Sequence, residues 1–91
     1  MREVKISPEA NAVLDDLWHR GLDELVELLE DAIDWIGEGD SRSRAHRLEG
    51  PDFPDGAWVI AVRHAGDTWI VVWDHLADVP AVRGIARTEV F

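Results

Sequence analysis

This chain predicts a small α+β domain, ordered β-α-α-β-β-β, with a helical hairpin packed on one face of a small antiparallel sheet. Three observations carry that reading. Two apolar stripes at helical spacing follow one another with Gly21 between them; two strongly apolar, tryptophan-bearing runs alternate around Gly66-Asp67; and a Gly-, Pro- and Arg-rich stretch separates these halves. Ninety-one residues are enough for one core, so residues 1–91 are read as a single domain.

Val4 and Ile6 among polar neighbours suggest a short first strand. Ser7-Pro8-Glu9 then supplies an N-cap, a proline at the first helical position and an early acid. Ala10, Val13, Leu14, Leu17 and Trp18 recur at helical spacing up to a break at Gly21. A second stripe follows in Leu22, Leu25, Val26, Leu29, Ile33 and Ile36, with Asp23, Glu24, Glu27, Glu30, Asp31 and Asp34 largely on the other side, and Gly37 and Gly39 end it. From Gly37 to Gly56 no apolar period is visible, and the stretch reads as a long connection. Its centre, Ser41-Arg42-Ser43-Arg44-Ala45-His46-Arg47, is either a solvated counterweight to the acidic helix or an anion clamp.

Ala57 to Ala65 and Thr68 to His75 form a hairpin. With a two-residue Gly66-Asp67 turn, Ala65 pairs with Thr68, Arg63 with Ile70 and Ala61 with Val72. One face then collects Trp58, Ile60, Val62, His64, Trp69, Val71, Trp73 and His75, large enough to cover two helices, with a base-stacking platform as the sharper alternative. The other face carries Val59, Ala61, Ile70 and Val72 with Arg63, Thr68 and Asp74. It is small and apolar yet points away from the helices, the pattern of a surface that meets a partner. A last strand from about Val82 to Val90 holds Arg83 and Arg87.

Charge is segregated along the chain. Residues 1–40 hold three basic and twelve acidic groups, residues 41–91 six arginines and seven acids, for a formal net charge of −10. That balance disfavours a generally basic nucleic-acid-binding surface, although a local arginine cluster could still grip an anion. The plain alternative is that the acids keep a small apolar domain in solution. No cysteine is present, which removes disulfide and thiolate chemistry. No segment reaches the roughly 20 apolar residues that cross a bilayer, and the N-terminus lacks a signal peptide's apolar stretch, so a cytoplasmic protein without membrane partners is expected. His64 and His75 lie at distant ends of the hairpin and give no metal-ligand spacing; neither metal nor cofactor is expected.

Taken in order, Ile6-Ser7-Pro8-Glu9-Ala10, the two helices, Arg47-Leu48-Glu49-Gly50, a strand ending in Arg63, the strand Trp69-Ile70-Val71-Val72-Trp73, and the close Arg87-Thr88-Glu89-Val90-Phe91 resemble the RelE/ParE superfamily of bacterial toxins. The resemblance covers nearly the whole chain. It implies the toxin of a type II toxin–antitoxin pair, with a small antitoxin as partner and the ribosome with its mRNA, or DNA gyrase, as target. It leaves the oligomeric state open, a homodimer included.

Many members of that family cut mRNA. Attack of a 2′-hydroxyl on the adjacent phosphate needs cations for the developing charge and groups that move protons. The resemblance places such groups at Arg63 and Arg87, with His46 as a candidate general base. Arg42, Arg44, Arg47 and Arg83 are the candidate anion- or RNA-binding residues. Two usual basic positions are Val59 and Ala61, however, the usual closing tyrosine is Phe91, and each lost donor costs about 100-fold or more. Three readings stay open: a ribosome-dependent endoribonuclease, a non-catalytic toxin, and a non-toxic binding module. The antitoxin is expected on Val59, Ala61, Ile70, Val72 and Phe91.

Overall fold

In the computed structural model, which describes residues 3–89, Ser7 organises the start of the fold. Its hydroxyl accepts from the Ala10 amide at 3.1 Å and donates to the Arg83 carbonyl at 2.9 Å, while its own amide donates to the Val82 carbonyl at 3.0 Å. One residue thus caps a helix and ties it to a strand from the far end of the chain. The first strand, β1, is Lys5–Ile6, and helix α1 is Pro8–His19. Gly21, at φ 76°, turns the chain into α2, Asp23–Glu38, which ends at Gly39 at φ 71°. There the Gly39 amide returns to the Ile36 carbonyl and the Asp40 amide to that of Trp35, satisfying orphan carbonyls of the last turn. Gly37 is buried inside this helix and does not end it.

A short 3-10 turn, Ser41–Arg44, leads to β2, His46–Gly50; then come β3, Phe53–His64, β4, Asp67–Leu76, and β5, Val79–Thr88. The strands form one sheet in the order β1-β5-β4-β3-β2. The architecture is α+β, with two helices on one face of five strands, and it differs from the expected order by one strand. β2 lies within the stretch read as a connection. It is an edge strand whose residues are exposed except for half-buried Leu48, so it carries no apolar alternation to read. The sheet is mixed, since β1 pairs parallel with Ala81 and Val82 of β5 while every other pairing is antiparallel.

The hairpin turn is Ala65-Gly66, one residue earlier than expected, with both residues at positive φ (51° and 82°). Arg63 therefore faces Thr68, Ala61 faces Ile70 and Val59 faces Val72, two residues from the expected register. A shift of two leaves every side chain on its face, so the division into two faces survives the error. The tryptophan face is the core. Trp73, Ile60, Val62 and Val71 pack with Val82 and Ile85 of β5 against Leu17, Leu25, Leu29, Ile33 and Ile36, with Trp58 and Trp69 half-buried at its margin. The last strand starts at Val79, ahead of the expected Val82. It bulges at Arg83, because Trp73 faces Val82 while Val72 faces Gly84.

Candidate functional site

On the sheet face away from the helices, Ala61, Ile70 and Val72 from β3 and β4 lie side by side and half-buried, continued by Gly84 and Ala86 of β5. These are small or β-branched residues on a pleated surface, and no helix covers them among the described residues. Val59 belongs to the same face but is only 1 % exposed, as is Ala57 two residues before it, so the accessible part of the face does not extend to them. Among the five residues expected to bind a partner, Ala61, Ile70 and Val72 are accessible, Val59 is not, and Phe91 lies outside the described residues. Arg63 stands exposed at the hairpin end of this face, opposite Thr68, and enters none of the ion pairs found among the described residues. His46 lies at the β2 edge, opposite Val59. Arg63 lies four residues further along β3 than Val59, which places the two functional candidates about 13 Å apart along the sheet.

Arg87 leaves the other face. It pairs with Trp69, whose indole packs against the helix-covered core, and it flanks a cavity of about 430 Å³ beside Val13, Leu17 and Arg20 of α1. Its nearest carboxylate is Asp67 at 3.9 Å. The two arginines that the resemblance puts in a catalytic group are thus separated by the thickness of the sheet.

The remaining cations are mostly engaged. Arg42 grips Asp40 through two contacts, Nε to Oδ1 at 3.0 Å and Nη2 to Oδ2 at 2.8 Å, and its guanidinium lies 4.1 Å from the Trp35 ring centroid. Those hydrogen bonds hold the Asp40 carboxyl down to about 2 and raise the Arg42 pKa in turn. Arg47 lies over the Trp58 ring at 4.9 Å, bonds Glu49 at 3.1 Å and donates to the Asp55 carbonyl at 3.0 Å. Arg83 bonds Asp74 at 2.6 Å. Arg44 is exposed and lines a cavity of about 530 Å³ with Arg47, Phe53, Trp58 and His75. Asp52 and Asp55 line that cavity as well, which opposes its use as an anion clamp.

The sequence reading missed the roles of Asp40, Trp35, Gly56 and Trp58 around these arginines. The Asp40-x-Arg42 spacing was a legible signal, since an Asp capping a turn can reach a side chain two residues on. Gly56, at φ 82°, sits under the Arg47 guanidinium, where a Cβ would collide with it. That contact depends on a strand pairing invisible in the sequence. No group of three or more His, Cys, Asp or Glu residues among those described is arranged to hold a metal ion. Compared with known protein families, with curated proteins and with solved structures, the chain matches none of them.

Proposed function

We propose that this chain is a toxin or toxin-like component of a bacterial type II toxin–antitoxin pair that acts by binding its target and not by cutting RNA. The resemblance of its ordered motifs to the RelE/ParE superfamily supports the toxin assignment. The placement of Arg63 and Arg87 on opposite faces of the sheet carries the choice of binding over cleavage. Charge stabilisation of a reacting phosphate needs donors within about 3 Å of one oxygen, and His46 is far from both faces' hairpin ends. Arg42, Arg47 and Arg83 are committed to neighbouring acids, so they do not replenish the missing cations.

The surface offered to an antitoxin is the apolar patch of Ala61, Ile70 and Val72, with Arg63 at its rim. Induced expression of the chain alone in a bacterium, with growth followed and transcript 5′ ends mapped in the same cultures, tests the reading. Arrest without new 5′ ends is expected. New ends inside translated codons would instead establish the endoribonuclease, and unimpaired growth with folded protein present would leave a non-toxic binding module. With the cognate antitoxin in hand, Val72→Asp combined with Arg63→Glu is expected to weaken binding by about tenfold or more. Unchanged affinity would put the interface elsewhere.

A further inference from the structure

Trp18 is the most exposed large apolar side chain among the described residues, at 58 %. It stands on α1 beside a groove of about 280 Å³ between the two helices, where half-buried Leu14 supplies apolar surface over the buried Val26, and Asp15 and Glu30 the polar walls. A tryptophan left largely in water next to an apolar groove is an unfilled contact.

The charge around it states what fills it. Between Asp23 and Ser41 there is no basic residue. Asp23, Glu24, Glu27, Glu30, Asp31 and Asp34 are all exposed, and none takes part in an ion pair found among the described residues. Asp23, Glu27, Glu30 and Asp34 follow the i, i+4, i+7, i+11 row of one helix flank, which spans about 16 Å. Nucleic acid and anionic lipid are repelled by such a row, leaving a polypeptide with basic side chains as the complementary occupant. A groove between two helices, with Asp15 and Glu30 in its walls and the acidic row running on along α2 from Glu30, matches a third helix.

We propose that the α1–α2 groove docks a basic amphipathic helix of a partner protein. Trp18 and Leu14 receive its apolar face above the buried Val26, and Asp15, Glu27 and Glu30 pair with its lysines or arginines. This surface belongs to the helices and is separate from the sheet patch, so it stands whether or not the chain is a toxin.

The test uses the full chain, labelled for NMR, and a synthetic amidated helix of about four turns with leucines on one side and lysines at i, i+4, i+7 and i+11 on the flank. Saturable binding is expected, with the largest shifts at the Trp18 indole N–H and at residues 14–30. Trp18→Ala is expected to weaken binding about tenfold or more, and Glu27→Lys with Glu30→Lys to weaken it at least as much. A control peptide that keeps the lysines but has serine for leucine should bind far more weakly. Equal binding of the control, unchanged affinity of both variants, no binding of the leucine peptide, or shifts centred on Ile70 and Val72 would each overturn the proposal.

Discussion

Arg42 and Asp40 show how a side chain that looks functional is spent on the fold. The Asp40 carboxylate caps the 3-10 turn through the Arg42 amide at 2.9 Å and holds the Arg42 guanidinium over Trp35. Its folded-state pKa lies below the ordinary value, so the stabilisation is present above the ordinary 3.8 and disappears as pH falls towards about 2. Asp40→Asn keeps a capping oxygen but removes the charge. It is expected to melt below the wild type at neutral pH, with the gap closing across that acidic window; a gap that stays constant down to pH 2 would refute the charge's role. Trp73 is the second residue of this kind. It is 1 % exposed, and its Nε1 donates to the Ser43 carbonyl at 2.8 Å, stitching the turn to the core. Trp73→Phe is expected to lose about 1–3 kcal/mol in urea unfolding, because the buried carbonyl loses its donor. Trp73→Ala should lose about 3–5 kcal/mol as a cavity opens.

Two elements depend on glycine geometry. In the β3–β4 hairpin, Ala65 occupies the first central position at φ 51°, a conformation that costs an L-residue about 1–2 kcal/mol. Asn-Gly suits such a turn, so Ala65→Asn should raise unfolding stability by about 0.5–1 kcal/mol. No gain would mean that this turn geometry is wrong. At the β2–β3 pairing, Gly56→Ala meets both a positive φ and the Arg47 guanidinium. The backbone part remains in an Arg47→Ala background while the collision goes. The two substitutions should therefore be less than additive, coupled by about 0.5 kcal/mol or more in a double-mutant cycle. Why one element was legible and the other was not is also plain here. The hairpin announced itself by alternating Trp58, Ile60, Val62 against Trp69, Val71, Trp73, because half of each strand is buried. β2 has only half-buried Leu48 to show for five residues, and the pairing that makes it a strand lies in Val59, Trp58 and Ala57, ten or so positions away.

For the molecule as a whole, a formal charge of −10, of which −9 falls in residues 1–40 with the two helices, implies self-repulsion in the folded state. Raising ionic strength from about 10 mM to about 0.5 M should therefore raise the melting temperature, and a flat or falling trend would show that the helix carboxylates do not repel appreciably. The sheet divides this molecule into two sides of different character. One is helical and acidic, with Trp18 at its surface; the other is a small apolar face of Ala61, Ile70 and Val72 with Arg63 at its end. The local pattern alone sufficed for the two helices, for the capping role of Ser7, for the hairpin and for which of its faces is core, since each depends on periodicity or on neighbours a few residues apart. The addition of β2 and β1 to the sheet, the burial of Val59, the commitment of Arg47 and Arg83, and the separation of Arg63 from Arg87 were decided only by the tertiary structure. Those outcomes depend on which strand lies beside which and on the face each side chain leaves from, and a pairing between two strands leaves no mark on the local pattern of either one.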